Sequence, residues 1–283
     1  MLKVGMVDHH LNNWHADTFL KLLRGPLSDE GVEVVAAWES DPTGDDWCAK
    51  NGVRRADTIE DAIKDADAVL LLAPDNIDAH PSLAESVLPF GKPTFIDKFL
   101  APQLAEAQAI VDLAAKHNAP IFSASALRYS VEMAPLMPEY ESEKPIAGRF
   151  TGMGTWKIYG VHTVTMALRV FGPEVKRVIN TGSEIANTVT LDYGDGRCAV
   201  ADVREAANGY EAIGWEFTAR VGEKYVGAKV VDHEGFYLNL MRETCSFLKT
   251  GKPDMAIEEA LATVAVLEAA GASRAQGGVW ISL

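Results

Sequence analysis

Two side chains in this sequence stand where they could move a proton or hold an anion. Lys98 closes the apolar run Phe95-Ile-Asp-Lys, which reads as a strand of a parallel sheet. A lysine at the carboxyl end of such a strand stands where open α/β sheets bind their ligands. A surface lysine ending a strand is the plain alternative, and position alone does not separate the two. His162 follows Tyr159-Gly-Val and begins the apolar stretch Thr-Val-Thr-Met-Ala-Leu-Arg-Val-Phe. Read as the first turn of a helix entered through Gly160, it offers an imidazole that titrates near neutrality and suits proton transfer. Held by a backbone carbonyl instead, it would be structural.

A third group lies in Asp8-His9-His10-Leu11-Asn12-Asn13-Trp14-His15. Asp8, His9, His10 and His15 have metal-ligand chemistry. Their spacing matches no ligand pattern, however, and adjacent His9 and His10 should point apart, so no metal is expected.

The elements around these residues alternate. Lys3–Val7 reads as a strand and Ala16–Leu23 as a helix, the order in which a dinucleotide-binding βαβ unit opens. Yet the turn between them has no glycine. Further strands are expected at Val32–Trp38, Ala68–Ala73, Pro93–Asp97 and Pro120–Ala124. Helices lie between them over Asp45–Asn51, from Thr58, over His80–Leu88 and over Ala101–His117. This rhythm means a doubly wound parallel sheet.

After about Ser130 the pattern changes to strands near Arg149–Met153, Val175–Thr181, Thr188–Tyr193, Cys198–Val203, Trp215–Arg220 and Lys224–Val231. Asp192-Tyr-Gly-Asp-Gly196 is a hairpin-turn signature. Helices are expected over Gly160–Phe171, Tyr237–Lys249 and Ile257–Ala275. The expectation is therefore an α/β chain: a Rossmann-type domain over 1–124, then an α+β domain over 125–283 with a mainly antiparallel sheet.

Composition bounds the partners. The net charge of −14 over 283 residues leaves no basic face, which argues against nucleic acid. Three scattered cysteines argue against a disulfide framework and a thiolate zinc site. No apolar run approaches a membrane span, and the N-terminus reads as a strand rather than a leader, so a cytoplasmic protein is expected.

Taken in order, several segments resemble the Gfo/Idh/MocA oxidoreductase family, nicotinamide-dependent dehydrogenases acting mostly on sugars and cyclitols. Leu72-Ala-Pro-Asp-Asn-Ile-Asp-Ala-His80 is similar to the family's segment after the fourth strand. Gly91-Lys-Pro-Thr-Phe-Ile-Asp-Lys-Phe99 is similar to its lysine-bearing segment. Ile121–Tyr129 resembles the strand whose arginine, here Arg128, opens the second domain. Gly160 through Gly172 resembles its histidine helix, and Gly251-Lys-Pro, Ile257-Glu-Glu-Ala and Glu268 through Ile281 resemble its closing run.

The resemblance implies hydride transfer between NAD, less readily NADP, and a secondary alcohol of a small polyol. Lys98 would hold the developing negative charge and His162 would accept the hydroxyl proton. Asp8, His10, Asn13, Glu39, Pro74, Asn76 and Lys98 would line the cofactor, with Glu39 on the adenosine ribose and Asn13 standing in for a left-handed glycine. His80, Arg128, Tyr159 and His162 would meet substrate. A homodimer or homotetramer through the C-terminal sheet is also implied. An idle relative that binds a ligand or partner is the alternative, as is a lyase or hydrolase that recycles its nicotinamide.

Departures are equally visible. Ile158 replaces the family's acid four residues before the histidine, Phe99 replaces the proline after the lysine, and Thr165 replaces an aspartate. The second domain also looks trimmed between Arg149 and Tyr159.

Overall fold

The computed structural model describes residues 1–205 and 214–283. It divides into two units, Met1–Ala124 with Leu240–Ile257, and Ser125–Asn239 with Glu258–Leu283.

The first unit begins β1 Leu2–Asp8, α1 Trp14–Arg24, β2 Val32–Glu39, α2 Trp47–Asn51, β3 Arg54–Arg55 and α3 Ile59–Ile63. It continues β4 Ala68–Leu71, α4 His80–Val87, β5 Thr94–Ile96, α5 Leu104–Lys116 and β6 Ile121–Phe122. The strands form one parallel sheet in the order β3-β2-β1-β4-β5-β6. The order of strand addition therefore reverses between β1 and β4, the switch point at which doubly wound sheets open a crevice beyond their carboxyl ends.

Local signals explain much of this. β4 is buried along its whole length, as its unbroken Ala-Val-Leu-Leu run requires in a sheet covered on both faces. The Thr58 hydroxyl caps α3 by accepting from the Asp61 amide, and Gly52 ends α2 at φ 61°. Gly5 in β1 lies where a Cβ would be 2.7 Å from the Ala62 carbonyl oxygen and 2.8 Å from Ile63 Cγ2. Gly5→Ala is thus expected to lower stability by about 1–3 kcal/mol through overpacking, visible as a lower urea midpoint.

The second unit contains α6 Met137–Ser142, β7 Ala147–Met153, α7 Trp156–Phe171, β8 Arg177–Asn180, β9 Ala186–Asp192 and β10 Cys198–Arg204. It ends with β11 Trp215–Val221, β12 Lys224–Val230, the start of α8 His233–Thr250, α9 Ile257–Ala275 and β13 Ile281–Ser282. Its sheet runs β12-β11-β7-β10-β9-β8-β13. Only the β7–β10 pair is parallel among those described. β9 and β10 pair antiparallel across the Asp192–Gly196 turn, where Gly194 and Gly196 have φ 75° and 92°.

Two features differ from the sequence expectation. First, the C-terminal part of α8 belongs to the first unit. The Phe247 ring packs tilted against Phe122, centroids 5.5 Å apart, and Lys249 pairs with Glu30 at 2.6 Å. Phe122 continues to Phe95 at 5.5 Å and Phe19 at 6.2 Å, so this helix completes an aromatic core.

Second, α7 starts at Trp156, so Gly160 is inside the helix rather than its entrance. A Cβ on Gly160 would lie 3.0 Å from the Trp156 ring and 3.1 Å from Leu267. The glycine serves close packing against α9, and His162 sits beyond the first turn.

Candidate active site

In the first unit, the carboxyl ends of β4 and β5 carry strained backbone. Ala73 has φ 65° and Lys98 has φ 48°, a region that costs a non-glycine residue about 1–2 kcal/mol. Such strain persists only where neighbours over-determine it. Around Lys98 they do. The Asp97 carboxylate accepts the Lys98 amide at 2.9 Å, and the Ser123 hydroxyl donates to the Lys98 carbonyl at 2.9 Å. His80 Nδ1 lies 3.1 Å from the Phe99 carbonyl oxygen, and Nε2 lies 2.6 Å from that of Leu72. The Lys98 side chain is 5% exposed, with Nζ 3.7 Å from the exposed Asp75 carboxylate.

Asp97 also reaches α1, with Oδ2 2.6 Å from His15 Nδ1. Burial alone would raise its carboxyl. The charges of His15, Lys98 and His80, together with the His15 hydrogen bond, outweigh that and hold Asp97 below the usual carboxylate range. Sequence reasoning gave no role to Asp97 or Ser123 and weighed His15 only as a metal ligand. The only local signal was an acid preceding a lysine at a strand end.

His80 itself is fully buried with both ring nitrogens on main-chain carbonyls. Desolvation by burial lowers its pKa, opposed by the Asp97 charge and by the hydrogen bonds to the carbonyls. It therefore ties the end of β4 to the Lys98 turn and does not present a nitrogen to substrate, contrary to expectation. Pro74 is buried and Asn76 half-buried beside it.

The loop after β1 is closed by its own acids. Asp8 is fully buried and accepts from the amides of His10 at 3.2 Å and Ala73 at 3.0 Å and from Asn13 Nδ2 at 2.8 Å. Burial pushes its carboxyl from 3.8 to about 7, despite these donors. Asn13 has φ −132°, so it supplies no left-handed turn; its Oδ1 caps α1 by accepting the Ala16 amide at 2.9 Å. The Glu39 side chain is 1% exposed, shared between the Leu11 amide at 2.6 Å and Arg55 at 2.9 Å. The expected ribose ligand is therefore engaged internally. His10 turns to the β2 side, its Nδ1 on the Asp41 carbonyl at 2.5 Å.

In the second unit, His162 is 4% exposed with Nδ1 2.7 Å from Ser125 Oγ. When the imidazole donates that bond, Nε2 keeps its lone pair and can accept a proton. Tyr159, one turn earlier on α7, places its ring 5.8 Å from the imidazole, and Trp215 meets it edge-on at 5.9 Å. Ser125 was not found from sequence; it lies unremarked inside the Ile121–Tyr129 segment.

Arg128 differs from expectation. It is 5% exposed and forks onto Glu259, Nε to Oε1 at 2.8 Å and Nη2 to Oε2 at 3.1 Å. That bidentate bond locks α9 to the start of this unit. Arg128→Ala is expected to destabilise the protein by about 3–5 kcal/mol, because Glu259 is left as a buried charge without its fork. Calorimetry that found an unchanged Tm would contradict this.

Residues 4–125 match a family model described as "Oxidoreductase family, NAD-binding Rossmann fold", that of GFO_IDH_MocA. This segment belongs to the Gfo/Idh/MocA family. Among curated proteins none matches the sequence. Solved structures do match across the chain. GenD2 from gentamicin A biosynthesis, crystallised with NAD, superposes with TM-score 0.84 at 17% identity over 100% of this chain and 96% of its own. Myo-inositol dehydrogenase from Lactobacillus casei, in complex with NAD(H) and myo-inositol, gives 0.83 at 15% over 100% and 97%. Myo-inositol 2-dehydrogenase from Lactobacillus plantarum gives 0.82 at 16% over 100% and 99%. At these identities the likeness is one of fold.

The Gfo/Idh/MocA family's dinucleotide can be tested against the donors present. On the β4–β5 side they fit: a strained backbone turn and a buried amine stand at the sheet's carboxyl end. On the β1–β2 side the fit is poor. The His10 and Leu11 amides already donate to carboxylates, and no glycine lets the backbone approach a diphosphate. What is left there is the N-terminus of α1.

Proposed function

We propose that this chain is an NAD-dependent oxidoreductase acting on a secondary alcohol of a small polyhydroxylated molecule of the sugar or cyclitol class. The observation that carries this reading is Lys98, a buried cation held in a strained turn at the carboxyl end of β5. Such a turn is maintained only by dedicated neighbours, and Asp97, Ser123 and His80 supply them.

Pro74 and Asn76 would hold the nicotinamide side of the cofactor, next to Lys98. Bound there, the nicotinamide would supply the hydride acceptor or donor. Lys98 would donate a hydrogen bond to the substrate hydroxyl and offset the charge that develops as the proton leaves. His162 Nε2 would take that proton, while Ser125 holds the ring by Nδ1. Tyr159 would border the hydroxyl from the same helix face.

The packing of Asp8 and Glu39 into the loop favours a second reading, a fold kept for binding without turnover. Untagged protein titrated with NADH separates the two. Saturable fluorescence enhancement, followed by NAD reduction with myo-inositol or a related polyol, is the expected result. No NADH response up to millimolar concentration would remove the oxidoreductase reading. Assembly through the second unit's sheet is part of the proposal, supported by the exposed Tyr225 and Val231 (residues 206–213, within that stretch, lie outside the described residues). Sedimentation as a monomer would exclude it.

A further inference from the structure

The loops after β1 and β2 bring together residues that the function above does not use. His9, His10 and Asp41 each offer a ligand atom, and these atoms all lie within 4.8 Å of one another. The two rings do not point apart: their centroids are 4.2 Å apart and tilted by 52°. Asp8 and His15, which the sequence alone grouped with them, are buried on other partners. Asp41, which lies 31 residues from His10, takes their place.

We propose that His9, His10 and Asp41 form a binding site for a divalent transition metal of the zinc class.

Three observations support it. His10 Nδ1 is bonded to the Asp41 carbonyl oxygen, so this nitrogen carries the proton and Nε2 is left with its lone pair. That Nε2 lies 3.9 Å from Asp41 Oδ2, too far for a hydrogen bond and suited to two ligands flanking one ion. His9 Nδ1 is bonded to Ser40 Oγ at 2.6 Å, which fixes the second ring. Imidazoles oriented in this way by a carbonyl or hydroxyl are the usual surroundings of a metal-binding histidine.

The ligand chemistry selects the ion. Two neutral imidazoles and one carboxylate suit Zn²⁺, Co²⁺ or Ni²⁺, whereas Mg²⁺ and Ca²⁺ prefer oxygen donors throughout. In a tetrahedral zinc site the ligand atoms are roughly 3.3 Å apart, given bonds of about 2.0–2.1 Å. Closing to that spacing takes side-chain rotation of Asp41, which is 62% exposed and free to turn. Water completes the fourth position from the open side. The charge balance is favourable as well: Asp41 and one cation leave a net +1, against −14 for the chain. The bound ion would pin the loop after β1 to the loop after β2, adding a crosslink where no glycine-rich turn defines the backbone.

The test uses untagged full-length protein stripped with a chelator and no nucleotide, so its outcome is independent of the oxidoreductase reading. Titration with Co²⁺ should give one equivalent of binding with the visible bands of a four-coordinate N/O site, and Zn²⁺ should displace it. His10→Gln and Asp41→Asn should each weaken binding at least tenfold, and Ser40→Ala should weaken it by a smaller factor. Asp41 is exposed, so that variant keeps the fold, which circular dichroism verifies. Absence of a stoichiometric Co²⁺ or Zn²⁺ site, equal affinity for Mg²⁺, or unchanged binding in both ligand variants would each overturn the proposal.

Discussion

Replacing Lys98 by alanine is expected to lower kcat by at least about 10³-fold while NADH affinity changes by less than about threefold. A cation beside a nascent alkoxide in a water-poor site is worth several kcal/mol, and about 4 kcal/mol corresponds to a thousandfold. The split between kcat and affinity is what identifies the role. A residue acting only in the transition state lowers kcat; one that positions cofactor lowers affinity as well. Alanine at φ 48° is strained as lysine is, so the backbone argument does not distinguish the two chains. Lys98→Met keeps most of the stem and removes the charge, and it should match alanine if charge is what matters. Equal losses in kcat and NADH affinity would instead make Lys98 a cofactor-positioning residue. The experiment also isolates Asp97. Asp97→Asn keeps an acceptor for the Lys98 amide and removes the charge facing His15, so it should shift the pH profile more than it shifts NADH affinity.

How far the sequence could be read depended on how local each cause was. The alternation of apolar runs with capped helices gave the parallel sheet, because strand burial and the Thr58 and Gly52 caps act within a few residues. The placements of Lys98 at a strand end and of His162 on a helix were legible for the same reason: each belongs to one strongly patterned element. Roles that depend on a distant partner were not legible. Arg128 reads as a substrate contact until Glu259, 131 residues later, closes its fork. Glu39 reads as a ribose ligand until the Leu11 amide, 28 residues earlier, takes its carboxylate. His80 reads as a cleft residue until three carbonyls from two strand ends surround it. The start of α7 was misplaced because Gly160 signals a helix end locally, and only its contact with Leu267 shows why glycine is tolerated inside. The return of α8 to the first unit depends on Phe122 meeting Phe247, again a contact that no local pattern encodes.

Asp8→Asn is expected to remove a large pH dependence of stability. Burial raises the Asp8 carboxyl from 3.8 to about 7 in the folded protein, while the unfolded chain titrates near the ordinary value. Between those pH values the folded state holds a proton that the unfolded state has released. Stability therefore falls as pH rises from about 4 through 7, and by pH 8 the loss approaches about 4 kcal/mol. Other groups act in the opposite sense: His80 and Asp97, both shifted down, lose stability as pH falls. Comparing wild type with Asp8→Asn at each pH cancels those contributions, since they are common to both. Urea midpoints should show the variant gaining on wild type steadily from pH 5 to pH 8 and no further above that. A difference that does not vary with pH would mean that Asp8 is ionised throughout. The same charge bears on function. A carboxylate within about 8 Å of a diphosphate costs roughly 1–2 kcal/mol at an effective dielectric of 20–40. The variant should therefore bind NADH about tenfold more tightly than wild type at pH 8, with the advantage shrinking at pH 6, where the wild-type carboxyl is mostly neutral. Identical NADH affinity in the two proteins at pH 8 would place the diphosphate away from this loop.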